Sequence, residues 1–180
     1  MEKRIYKVAE IEETKKEAEE LLSRSLDDEI KERMKAVIEV EAPIRKALLY
    51  KRVLNSFGLQ KVGSRLLSLF EELSLALPFP TTIDGDGEVV FHKEEKEDFF
   101  RPSPSSALRY SYQIPHQEGA ACILYILETG DKPSLTKGEL YRLFLSEMGW
   151  EKSGRAIEEL FSYALKDKRI KRSGNGRFLK

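Results

Sequence analysis

The sequence predicts a mainly α-helical protein built as two copies of one small module, each of three helices and a β-hairpin, behind an N-terminal helical extension. Three observations carry this. The stretches "FGLQKVGSRLLSLFEELS" (57–74) and "MGWEKSGRAIEELFSYAL" (148–165) align at a constant offset, with Gly58 on Gly149, Lys61 on Lys152, Gly63 on Gly154, Leu66 on Ile157, Leu69 on Leu160 and Phe70 on Phe161. The apolar residues of both copies recur at helical spacing. Each copy then closes on a Gly-rich segment, Gly85 and Gly87 in the first and Gly174 and Gly176 in the second.

The first element read from periodicity is an amphipathic helix over 5–24, with Ile5, Val8, Ile11, Ala18, Leu21 and Leu22 on one narrow face. A second helix starts at Asp27–Asp28, whose carboxylates suit a helix N-terminus, runs through Ile30, Met34, Val37 and Ile38, and stops at Pro43. "IRKALLYKRVLNSF" is the third, with Leu48, Leu49, Val53 and Leu54 inward and Gly58 at its end. A fourth begins around Gln60, buries Leu66, Leu69, Phe70 and Leu73, and ends before Pro78. "TTIDGDGEVVF" then reads as two strands around an Asp-Gly turn.

"RPSPSSALRYSYQIP" (101–115), with three prolines and four serines, predicts an extended connector. The second copy follows: a helix through "HQEGAACILYILETG", another through "TKGELYRLFLSEM" ended by Gly149, a third through "SGRAIEELFSYALK", and a hairpin at "RIKRSGNGRFLK". Tyr141 falls on Tyr50 and Leu145 on Leu54. The division is therefore 1–27 N-terminal helix, 28–98 first repeat, 99–114 connector and 115–180 second repeat. Three helices followed by a two-stranded wing is the layout of a winged helix, so the expected architecture is a tandem winged-helix protein.

With 180 residues of which 41% are hydrophobic, the chain can form one ordinary domain or two small ones. The apolar runs are short and broken by charge, and "MEKRIYKVAEIEE" lacks the apolar core of a signal peptide, so a cytoplasmic protein without a membrane span is expected. Cys122, the one cysteine, lies in "AACILYIL" and reads as a small core residue. The formal net charge is zero, yet residues 132–180 hold twelve Lys and Arg against six acids, and residues 84–98 hold seven acids against two Lys. Such segregation suits a polyanion-binding face, or two surfaces that dock on each other.

Gly58-x-x-x-x-Gly63-Ser64 is not a phosphate-binding loop, which needs a Lys directly after its second Gly and a strand before its first. The expected roles are structural: the first Gly ends helix 2, and the second lets helix 3 cross it closely. Trp150, aligned with Leu59, is expected as a core anchor between these helices. His92 and His116 are far apart with no cysteine partner, which argues against zinc. The pairs Glu71–Glu72 and Glu158–Glu159 belong on outward faces rather than in acid/base catalysis, so no enzyme and no cofactor is expected.

"VIEVEAPIRKALLYKRVLNSFGLQKVGSRL", "LRYSYQIPHQEGAACILYILE" and "LYRLFLSEMGWEKSGRAIEEL" together resemble an uncharacterised C-terminal region of large bacterial superfamily-one helicase proteins, some of which also carry a nuclease-like domain. The likeness spans roughly residues 28–180, and "EAPI" with the two G-x-x-x-x-G segments is its most specific part. Neither a Walker A lysine nor a Walker B strand is present, so the resemblance implies an accessory module or free-standing relative, with a helicase or nuclease protein as a possible partner. It implies no catalytic residues.

Nucleic-acid contact requires cations placed to neutralise phosphates, with helix 3 or the wing reaching a groove. In the second copy Lys152 and Arg155 are expected in the first turn of helix 3, and Lys168, Arg169, Lys171, Arg172 and Arg177 around the wing. Only Lys61 and Arg65 match them in the first copy, whose wing is acidic. The expected mode is sequence-independent contact with DNA backbone through the second wing. The alternative is a protein-docking module that binds no nucleic acid, which the acidic first wing and the N-terminal helix suit better.

Overall fold

Amphipathic helical stretches and short strands of two or three residues follow one another along the chain, and the computed structural model, which describes residues 1–94 and 97–180, folds them into two units. One unit is Lys7–Glu95; the other joins Met1–Tyr6 to Lys96–Lys180. Lys96, part of the acidic stretch noted above, lies outside the described residues. The elements of the N-terminal half are β1 (Glu2–Lys3), α1 (Ala18–Leu22), α2 (Asp27–Glu41), β2 (Ile44–Arg45), α3 (Lys46–Ser56), α4 (Ser64–Leu75), β3 (Thr81–Ile83) and β4 (Val89–Phe91). They are followed by β5 (Phe99–Phe100), a 3-10 turn (Ser111–Gln113), α5 (His116–Thr129), β6 (Ser134–Leu135), α6 (Lys137–Met148), α7 (Arg155–Ala164) and β7 (Phe178–Leu179). The protein is helix-rich, with small sheets.

In the Lys7–Glu95 unit, α2 opens on Asp27, Asp28 and Glu29, whose charges favour a helix N-terminus, and closes at Glu41, two residues before Pro43. The predicted apolar stripe of α4 faces inward as expected: Leu66, Leu69, Phe70 and Leu73 are all buried. They join Ile30, Met34, Ile38, Leu49 and Phe57 in one core. β4 lies between β2 and β3, antiparallel to both, so that Val90 pairs with Arg45 on one side and Thr82 on the other.

The other unit repeats this order of elements. α5, α6 and α7 surround a core of Ile123, Leu140, Phe144, Leu160 and Phe161, β6 pairs antiparallel with β7, and an isolated bridge joins Arg172 to Phe178. β1 also belongs here, in parallel pairing with β5. The two short strands that precede the second helix of each copy, β2 and β6, were not anticipated from the sequence.

The repeat extends to individual hydrogen bonds. At the end of α3 the Gly58 N–H donates to Asn55 O (2.9 Å) and the Leu59 N–H to Leu54 O (3.0 Å); at the end of α6 the Gly149 N–H donates to Ser146 O (3.1 Å) and the Trp150 N–H to Leu145 O (2.9 Å). Both glycines take positive φ, 74° and 80°, which this helix ending requires. The hairpin turns match as well: the Gly87 N–H reaches Asp84 O and the Asp84 N–H reaches Glu88 O, and the Gly176 N–H reaches Ser173 O and the Ser173 N–H reaches Arg177 O.

Several expectations need correction. The N-terminal helix over 5–24 is confined to Ala18–Leu22. Upstream, backbone donors are used elsewhere: the Thr14 N–H bonds Ser56 O (2.8 Å), the Lys16 N–H bonds Phe57 O (3.0 Å), and the Ala9 N–H bonds a Glu41 carboxylate oxygen (2.9 Å). A narrow apolar stripe cannot hold a helix against such tertiary partners. α4 starts at Ser64 rather than Gln60. Gly63 and Gly154 do not serve a close helix crossing, because a Cβ at either would meet nothing within 4 Å. They stand just before the third helix of their copies in extended conformation.

Trp150 is half-buried at the rim of its core, its ring tilted 66° against Phe144, and its indole N–H donates to Ser103 O (3.0 Å). It therefore ties the connector to the end of α6. The connector has no α-helix, as expected, but it is no mere spacer: Arg101, Ser103 and Arg109 are buried in it.

Candidate nucleic-acid interface

The geometry around α7 decides which cations of the second copy can meet phosphate. Arg155 is the first residue of α7 and its side chain is almost fully exposed, 3.0 Å from Glu159 one turn on. Lys152 is exposed in the loop before the helix rather than in its first turn. Lys168 and Lys171 are exposed beyond the helix end, and among the described residues neither of them, nor Lys152, makes an ion pair.

The arginines are more engaged. Arg169 lies between Asp98 (2.6 Å) and Asp167 (2.8 Å), so the last acid of the acidic stretch pairs with the basic tail. The Arg169 hydrogen bonds hold the Asp167 carboxyl below its ordinary value, although partial burial pushes the other way. Arg172 lies over the Phe178 ring, 4.7 Å from its centroid, with a longer bond to Leu165 O. Arg177, expected among the phosphate-contacting cations around the wing, turns back instead: its guanidinium donates to Ser134 Oγ (2.8 Å) and Ser134 O (3.1 Å) and lies 3.7 Å from Glu139. It braces the hairpin against β6.

Glu139 is held at about 2, first by its hydrogen bond from Lys132 and then by those from the Thr136 backbone and side chain. These contacts also cap α6, since the Thr136 hydroxyl accepts from the Glu139 N–H in return.

The first copy uses its wing differently. Arg45 on β2 is buried, 2.6 Å from Asp86 and 3.5 Å from Asp84. A Glu88 carboxylate oxygen accepts the Ala47 N–H (2.9 Å) at the start of α3. The acids of this hairpin are thus partly consumed in holding the module together. Of the cations on its third helix, Arg65 lies 3.6 Å from Glu19, and α1 packs against α4 with Arg24 bridging to Glu72 (2.8 Å). Glu71 pairs with Lys46 (2.9 Å), so the outward glutamates are solvated ion-pair partners. Lys93 pairs with Glu39.

A buried ionic cluster supports the second copy. Glu118 on α5 has no exposure and accepts from Arg101 and Arg109, with Arg109 at 2.7 Å to each oxygen. Burial alone would push the Glu118 carboxyl up, but the two guanidinium charges outweigh it and hold the group at about 2. Tyr6 covers the cluster, its ring centroid 4.2 Å from the Arg109 guanidinium. Nothing in the spacing of these residues announced it; the only sequence signal was arginines inside a Pro/Ser-rich stretch.

His92 shares a 2.7 Å hydrogen bond with Thr82, and His116 stacks on Tyr163. Cys122 is buried, which pushes its thiol well up. Among the described residues no helix is long and apolar enough to cross a membrane.

Residues 19–68, from within α1 to the first turn of α4, match a family model described as a protein of unknown function, DUF3320. No curated protein and no solved structure matches the chain.

Proposed function

We propose that the chain is a non-enzymatic tandem winged-helix module of a helicase-related system in the cytoplasm, contacting DNA backbone through its second copy. The matched family is associated with helicase-related proteins. The winged-helix reading rests on the order helix, strand, helix, helix, which occurs twice, followed by a two-stranded hairpin in the first copy and by a turn closed by one bridge and one strand in the second. The observation that carries the DNA reading is the contrast between the copies: Lys152, Lys168 and Lys171 are exposed and make no ion pair among the described residues, whereas the first hairpin carries Asp84, Asp86 and Glu88. Such lysines can neutralise phosphates without fitting base edges.

Titration of labelled duplex DNA across a salt series tests it. Binding that weakens steeply with salt and is lost in Lys168→Glu/Lys171→Glu is expected. Absence of binding near ~50 mM salt, the low end of the range in which such contacts are normally measured, overturns the reading. Protein docking would then take its place, favoured by one feature of the first copy. An open cleft of about 420 Å³ between α3, α4 and the hairpin is lined by Leu77, Phe79, Val89 and Phe91 and edged by the exposed Leu75 and Ile83.

A further inference from the structure

We infer that the second copy carries a base-stacking platform for single-stranded nucleic acid, made by Tyr110 and Tyr112 at the entry to α5; this rests on the nucleic-acid reading above and narrows its ligand. The two rings are stacked, with centroids 5.3 Å apart and planes 9° from parallel. They are 44% and 57% exposed, although large aromatic rings normally contribute more by burial.

The ring pair does not sit on a floppy loop. The Tyr110 N–H donates to the Gln113 side chain (2.7 Å), the Gln113 N–H returns a bond to Tyr110 O (2.9 Å), and Gln113 and Ile114 are buried. Arg109, the residue before Tyr110, is locked by Glu118 in the ionic cluster. The cluster therefore fixes where the tyrosines project, a use for buried charge that hydrophobic packing alone would not supply as specifically.

The surroundings supply the rest of a single-strand site. The 3-10 turn bearing Tyr112 packs against α7. Four residues on, His116 stacks on Tyr163 of α7 with centroids 4.3 Å apart, and the Lys166 ammonium lies 4.5 Å from the centre of the Tyr163 ring. Lys168 and Lys171 follow where the chain leaves α7, and the nearby acids Asp98 and Asp167 are both engaged by Arg169. Exposed aromatic rings, together with lysines that make no ion pair among the described residues, are what sequence-tolerant single-strand binding uses: bases stack on rings while cations follow the phosphates. A duplex keeps its base faces inside its own stack, so it can use the lysines but not the rings.

Fluorescence anisotropy with a labelled oligothymidylate and a labelled duplex hairpin, at one fixed low salt concentration, tests the inference on the full chain. Tyr110→Ala and Tyr112→Ala are each expected to weaken oligothymidylate binding about tenfold, with duplex binding unchanged and Tyr→Phe variants close to the parent. Tyr112→Trp should add a fluorescence signal that oligothymidylate quenches beyond the parent's own Trp150 response. If the Ala variants bind oligothymidylate as the parent does, or if the introduced Trp is not quenched, the platform is overturned while the backbone-contact reading stands. If the parent binds neither probe, that reading falls, and the platform with it.

Discussion

The rings of Tyr50 and Phe70 meet edge to face, with centroids 5.6 Å apart and planes at 85°, and the aligned pair Tyr141 and Phe161 meets in the same way at 4.9 Å and 60°. In each copy the pair joins the second helix to the third. Each tyrosine hydroxyl also has a serine partner, but a different one: Ser74 on α4 for Tyr50 and Ser153 before α7 for Tyr141. The aromatic contact is common to both copies while its polar anchor has moved.

Phe70→Ala and Phe161→Ala should therefore each destabilise the unit that holds them by about 3–5 kcal/mol, the usual range for a buried aromatic. Chemical denaturation followed by circular dichroism measures this. A loss below about 1 kcal/mol for both would mean that the shared apolar stripe does not build a core.

The four aligned glycines should separate into two classes. Gly58→Ala and Gly149→Ala force a side chain into positive φ, at about 1–2 kcal/mol. Gly149 should suffer more, because its new Cβ would stand 2.9 Å from Pro104 Cβ, whereas at Gly58 the nearest atom is 3.6 Å away. Gly63→Ala and Gly154→Ala meet open space and should stay within about 1 kcal/mol of the parent, with only a small loss as helix caps. Melting temperatures of the four variants, ranked together, decide the point.

Glu118→Gln should cost about 3–5 kcal/mol, since it leaves two buried guanidinium groups without their counter-charge. The pH dependence has a definite sign. The folded-state carboxyl sits at about 2, below its ordinary value, so its contribution is fully present above the unfolded pKa and fades as pH falls toward 2. Acid titration of the parent and of Glu118→Gln should converge in stability at the acid end; parallel curves down to that limit would contradict the assignment.

Each of Lys152→Ala, Lys168→Ala and Lys171→Ala should lower the slope of log affinity against log salt by about 0.9 for duplex DNA, one counterion per lost phosphate contact. Lys93→Glu, which removes a partner of Glu39 in the other unit, should leave the slope unchanged. Equal slopes for all four variants would separate the three lysines from any DNA contact.

Much of the helical framework was legible because helix periodicity is a local property. The stripe Leu66, Leu69, Phe70 and Leu73 and the helix-ending Gly58 and Gly149 could be read from neighbours in the chain alone. What failed depended on partners distant in sequence. Ile5, Val8 and Ile11 have helical spacing, but next to Ile5 the Arg4 N–H bonds Phe100 O, and the backbone of residues 9–16 bonds the end of α3 and Glu41. Arg177 reads as a solvent-facing cation until β6 brings Ser134 beside it. Charge counting likewise treated Arg169 as available, whereas Asp98 and Asp167 both hold it.

The parallel pairing of β1 with β5 has a consequence for the order in which the chain folds. Glu2 and Lys3 are made before the Lys7–Glu95 unit, whereas their partners Phe99 and Phe100 are made after all of it. That unit holds a core of its own, so it can condense during translation while residues 1–6 still await their strand partner. Closing β1 onto β5 then joins ends that the folded insert, rather than a loose loop, already keeps within a limited span. β5, made later, thus recruits β1, made earlier, across a segment that has already folded.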